Sequence, residues 1–165
     1  MDLHRTQAEA FLIALDVGAA SVDDVVNWAL DVIQEAEHPH WSFCELALCS
    51  RKSPADLAAI LRAVPGVPDG KLARLRVLEM LRDSLAERPE RAEQIARSLY
   101  HLAIGEELDE PALRELAWWA WDALDLAAQG AIAQTREDVV NQMRSAVAEA
   151  ISTGIAQRRC DLSRF

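Results

Sequence analysis

The chain has 165 residues, 51% of them apolar, and a formal net charge of −10 at pH 7. That length is close to one domain and long enough to bury roughly 70% of the unfolded surface; with only six Gly and six Pro, the composition argues against disorder and favours helices. The acidic balance repels nucleic acid and anionic membrane and favours a basic partner. It is steepest at the start, where residues 1–66 hold ten acidic against four basic side chains.

Start and stop signals alternate along the chain and mark eight segments. A first helix runs from about Thr6 to Val17 and stops at Gly18, a natural left-handed C-terminal residue. Ser21 caps the second, with Asp23 and Asp24 at the positive end of the helix dipole, and His38-Pro39 ends it by Glu37. Its apolar set Val22, Val25, Val26, Ala29, Val32 and Ile33 lies opposite Asp24, Asn27, Asp31 and Glu35. Trp41 to Cys49 reads as a short helix, and Ser53-Pro54 starts another that ends before Pro65-Gly66.

The stretch Val64 to Gly70 is the strongest break and divides the chain into 1–66 and 67–154. Asp69 caps a helix to about Arg88, and Pro89 opens the next, which ends before Gly105. Asp109-Glu110-Pro111 opens a tryptophan-rich helix closed by Gly130. Thr135 caps the last helix, through about Thr153, leaving 155–165 with Arg158, Arg159 and Arg164 as a loose tail. Ser21 to Asn27 echoes Thr135 to Asn141, which reads as one capping grammar shared by two amphipathic helices rather than a duplication.

Three of the five tryptophans fall within four residues, at Trp118, Trp119 and Trp121. At about 100° per residue, Trp119 and Trp121 flank the apolar stripe of Leu113, Leu116, Ala117, Ala120 and Leu124 and belong with the core. Trp118 points instead into the polar sector of Arg114, Glu115, Asp122 and Asp125 and reads as a contact anchor. Trp28 borders the acidic face of the second helix, with Asp24, Asp31 and Glu35; it is either a core edge or a protein-binding hot spot.

Chemistry-bearing clusters are few. His38, His40 and Cys44, followed by Cys49, have the residue types of a zinc site, but their spacing matches no common zinc motif. The alternative is a helix-terminal His pair beside two small buried cysteines. His101, followed by Glu106, Glu107 and Asp109, is either a general base or a helix-end charge. No Gly-rich phosphate loop, nucleophile elbow or H-E-x-x-H motif occurs, so no catalytic residue and no cofactor are assigned. The odd count of cysteines, Cys44, Cys49 and Cys160, points to a reducing cytoplasm. The apolar run Phe11 to Leu15 is too short for a signal segment, and no apolar run spans a bilayer.

The stretch Asp24-Val25-Val26-Asn27-Trp28-Ala29-Leu30-Asp31, with Pro39-His40-Trp41, Glu45-Leu46-Ala47-Leu48 and Leu61-Arg62-Ala63-Val64-Pro65-Gly66, resembles a pattern in small helical bacterial proteins of unknown function. Some of those are similar to immunity proteins encoded beside toxins. The resemblance covers residues 24–66 only, implies a cytoplasmic binding protein without catalysis, and assigns no functional residue.

These readings converge on an all-α single domain of seven or eight helices, an irregular bundle or two stacked helical subdomains. The expected function is non-catalytic binding of a basic protein or of a second copy, with no nucleic acid and no membrane involved. The competing expectation is a helical enzyme holding a metal or small molecule near His38, His40 and Cys44.

Overall fold

Local cap chemistry sets where most helices begin. In the computed structural model, which describes residues 2–50, 53–105, 107–108 and 110–162, Ser21 precedes a helix as part of a reciprocal box. The Asp24 amide donates to Ser21 Oγ, and the Ser21 amide donates to Asp24 Oδ2 at 2.7 Å. Thr135 and Asp138 repeat the arrangement, so the sequence echo between these segments is capping grammar realised twice. The Thr135 amide, and then its hydroxyl, hydrogen-bond Asp138 and hold its carboxyl below the ordinary aspartate range.

The described residues form eight α-helices and no strand: α1 (Leu3–Asp16), α2 (Val22–Glu35), α3 (Trp41–Ala47), α4 (Pro54–Arg62), α5 (Gly70–Glu87), α6 (Ala92–Ile104), α7 (Pro111–Ala128) and α8 (Arg136–Leu162). A 3-10 turn, Pro89–Arg91, leads into α6. The all-α expectation and its count hold. Two boundaries differ from the sequence reading. Helix α1 starts three residues early because Asp2 Oδ1 accepts the His4 and Arg5 amides. Helix α8 continues to Leu162, so the expected loose tail is helical to that point; residues 163–165, Arg164 among them, lie outside the described residues. Once a helix is nucleated each added residue gains a hydrogen bond at little cost, and Arg158 and Arg159 sit where the dipole favours cations.

The chain forms two compact units, Met1–Val77 and Leu78–Phe165. The break at Pro65 to Gly70 falls inside the first, and the division runs through α5.

In the first unit α2 packs on α3, and α4 packs on both α1 and α3. The alanines of α1 at 8, 10 and 14 are fully buried, which lets backbones approach closely around Phe11, Val25, Phe43, Leu46, Leu57 and Leu61. Each buried Leu contributes about 1.5–3 kcal/mol relative to exposure. The buried hydroxyl of Thr6 accepts the Asp69 amide at 3.0 Å, tying α1 to the start of α5.

In the second unit α7 lies between α6 and α8. Helix α6 buries Ile95, Leu99 and Leu102, α7 buries Leu113, Leu116 and Leu124, and α8 buries Val139, Met143 and Val147 at helical spacing. Arg136 anchors the start of α8 to the Pro89 carbonyl and Glu93, and Arg144 donates to the Leu85 carbonyl. Among the described residues no helix is long and apolar enough to cross a membrane.

Candidate functional site

The face shared by α6 and α7 carries the most distinctive surface of the second unit. The two helices run antiparallel across a short connection, so stepping forward along α6 matches stepping back along α7. Arg97 therefore meets Trp121, with its guanidinium carbon 4.7 Å from the ring centroid, and one turn along Tyr100 meets Trp118. The Tyr100 and Trp118 rings stand perpendicular, centroids 5.3 Å apart. Trp118 is 51% exposed and Trp121 40% exposed.

This corrects one expectation. Trp121 does not belong to the core: it lies on the α6 side of the stripe, where Arg97 roofs it and solvent reaches it. Trp119 is half-buried, and Trp118 stands in the polar sector as its helical position implies. Around Trp118, Glu115 at i−3 and Asp122 at i+4 share its face and are exposed. Arg114 at i−4 is also exposed, but its Nη2 donates to the Leu108 carbonyl beyond the helix start.

The other four residues singled out as binding candidates sit on α2, in the first unit. Trp28 is a core-edge residue, its ring 5.3 Å from both Phe11 and Phe43. Asp24 is used as the cap of its own helix. Asp31 and Glu35, four residues apart on one face, are exposed, and Leu30, which precedes Asp31, is 41% exposed. No Lys or Arg occurs from residue 6 to residue 50, while eight Asp or Glu do, so this stretch of the chain is strongly acidic.

The weak metal candidates are not assembled. His38 and Cys44 are exposed. His40 caps α3: its Nδ1 lies 2.9 Å from Ser42 Oγ and accepts the Ser42 amide, while its ring leans on Trp41. Cys49 is buried and donates its thiol to the Glu45 carbonyl at 3.0 Å, but Cys44 is not buried, contrary to the pairing of two buried cysteines. Among the described residues no three His, Cys, Asp or Glu side chains group so as to hold a metal ion. His101 is exposed beside Tyr100, and its expected neighbours Glu106 and Asp109 lie outside the described residues.

Two hollows lie in the first unit. One, of about 210 Å³, is lined by Leu3, His4, Thr6, Gln7, Trp28, Leu72 and Arg76. That is below the usual 300–1,000 Å³ of a small-molecule site, and the Thr6 hydroxyl is already engaged. The other, about 590 Å³ and more open, is lined by Asp2, Leu3, His4, Gly66 and Val67, with Asp2 occupied in capping α1.

The sequence reading missed Arg97 and Tyr100 as partners of the tryptophans. The spacing of Arg97, Tyr100 and Ile104 on one side of α6 was the available signal. No protein-family model matches the chain, and no curated protein and no solved structure is significantly similar to it.

Proposed function

We propose that the chain is a non-catalytic protein-binding domain that receives a basic partner on the acidic face of α2. The observation carrying this reading is the cation-free run from residue 6 to residue 50, in which Asp23, Asp31 and Glu35 are exposed on α2 together with Leu30. A field of one sign accelerates encounter with an oppositely charged surface, and an apolar side chain within it supplies contact energy that charges at the rim do not. Three cysteines that form no disulfide with one another support a reducing, cytoplasmic setting. A role of the immunity type, in which such a domain neutralises a basic protein, is one form this binding takes. The metalloenzyme alternative has less behind it, because His40 Nδ1 is committed to capping α3.

The test compares the immobilised domain with its Asp31→Lys, Glu35→Lys double variant in a cell extract. The expected result is a retained protein of basic character, lost in the double variant and weakened steeply by salt. Equal retention by both forms, or none by either, would overturn the proposal.

A further inference from the structure

The face of α7 carries two exposed indoles in different surroundings. Trp121 already accepts a cation from within the chain, the Arg97 guanidinium at 4.7 Å. Trp118, one turn away on the same surface, is more exposed, and among the described residues no cation stacks on it. Its indole stands perpendicular to the Tyr100 ring and shares its helix face with Glu115 and Asp122, neither of which takes part in an ion pair or hydrogen bond among the described residues. The one nearby cation on the same helix, Arg114, is turned to the Leu108 carbonyl. An indole face attracts cations through its quadrupole, and carboxylates at its rim add charge and hydrogen-bond acceptors.

We infer that Trp118, with Glu115 and Asp122, is a binding site for an arginine side chain of a basic protein segment. The planar guanidinium stacks on the indole while its N–H groups reach the carboxylates, a geometry that an ammonium group does not match. The inference rests on the reading of the domain as one that binds a basic protein, but it concerns a surface separate from α2.

The test labels the five tryptophan indoles with nitrogen-15 and titrates the protein with the blocked tripeptide acetyl-Gly-Arg-Gly-amide. The expected result is a saturable shift of the Trp118 Nε1–H signal, several-fold weaker with the lysine peptide and absent with the neutral citrulline peptide. Measured by calorimetric titration with the same peptide, Trp118→Phe keeps part of the binding, Trp118→Ala abolishes it, and Glu115→Gln with Asp122→Asn weakens it several-fold. Equal shifts with the citrulline peptide, or shifts of the other four indoles that Trp118→Ala leaves unchanged, overturn the inference. So does a Trp118 signal that moves with protein concentration alone, which would mean that a second copy covers the indole. Because the peptide reads α7 and the charge reversals read α2, failure of one leaves the other interpretable.

Discussion

The Asp69 amide donates to Thr6 Oγ1 at 3.0 Å across 63 residues of sequence, and the same hydroxyl donates to the Asp2 carbonyl. Asp69 in turn accepts the Leu72 amide and caps α5, so one buried hydroxyl ties together the starts of two helices. Removing it leaves a backbone N–H without its acceptor, which costs about 1–3 kcal/mol. Thr6→Val is therefore expected to lower the unfolding free energy measured in urea by that amount, and Thr6→Ser to restore most of it. Equal stability of Thr6→Val and wild type would show that the bond contributes nothing net.

Gly66 has φ of +113°, and a Cβ there would stand 2.5 Å from Asp2 Cβ. Gly18 has φ of +74° with nothing within 4 Å of such a Cβ. Gly66→Ala pays both backbone strain and a clash, whereas Gly18→Ala pays only the strain of about 1–2 kcal/mol. Thermal melts should rank Gly66→Ala as the more damaging; the reverse order would contradict the close approach of Asp2.

Arg97 over Trp121 is an exposed cation–π pair, for which about 0.5–1 kcal/mol is typical. A double-mutant cycle with Arg97→Ala and Trp121→Leu should return a coupling of that size. Zero coupling would mean that the contact is adventitious. Loss of Arg97 should also raise the quenching of Trp121 by the neutral quencher acrylamide.

Burial works against ionisation of Glu93, but the hydrogen bond from Arg136, its own backbone and the Arg136 charge outweigh it and hold the pKa below the ordinary glutamate value. The folded pKa is thus lower than the unfolded one, so the contribution is present above the usual carboxylate pKa and is lost as pH falls through the folded value. The pair is roughly half exposed, at 3.2 Å, and screening limits it to about 0.5 kcal/mol or less. Glu93→Gln should lower the urea midpoint slightly at neutral pH and make no difference at about pH 3 or in about 1 M salt. An effect that grows towards low pH would reverse the sign and refute this account.

Met143 is fully buried on the face that α8 turns inward. Met143→Ala should cost about 2–5 kcal/mol by guanidinium denaturation, since a close-packed site collapses only partly around the space left. A loss below about 1 kcal/mol would mean that the second unit repacks freely.

Helix punctuation was legible in the sequence because caps are local chemistry. Ser21, Ser53 and Thr135 each mark a helix start within four residues of chain. What escaped depends on neighbours that no local pattern names. The helical position of Trp121 places it at the border of the apolar stripe, and only the antiparallel arrival of Arg97 on α6 decides that it stays wet. Beyond Ile151, α8 has no further buried hydrophobic residue among those described, so its last turns carry no amphipathic signal. Cys44 and Cys49, alike by type, part because α3 ends between them: Cys44 lies on its outward face, while Cys49 folds under onto Glu45.

That last difference makes the molecule its own stopwatch. A thiol reagent added to the native protein should consume Cys44 and Cys160 at once and then wait on Cys49, which is 0% exposed. The slow phase would time the transient opening of the first unit around Cys49, under fully native conditions and with no probe introduced.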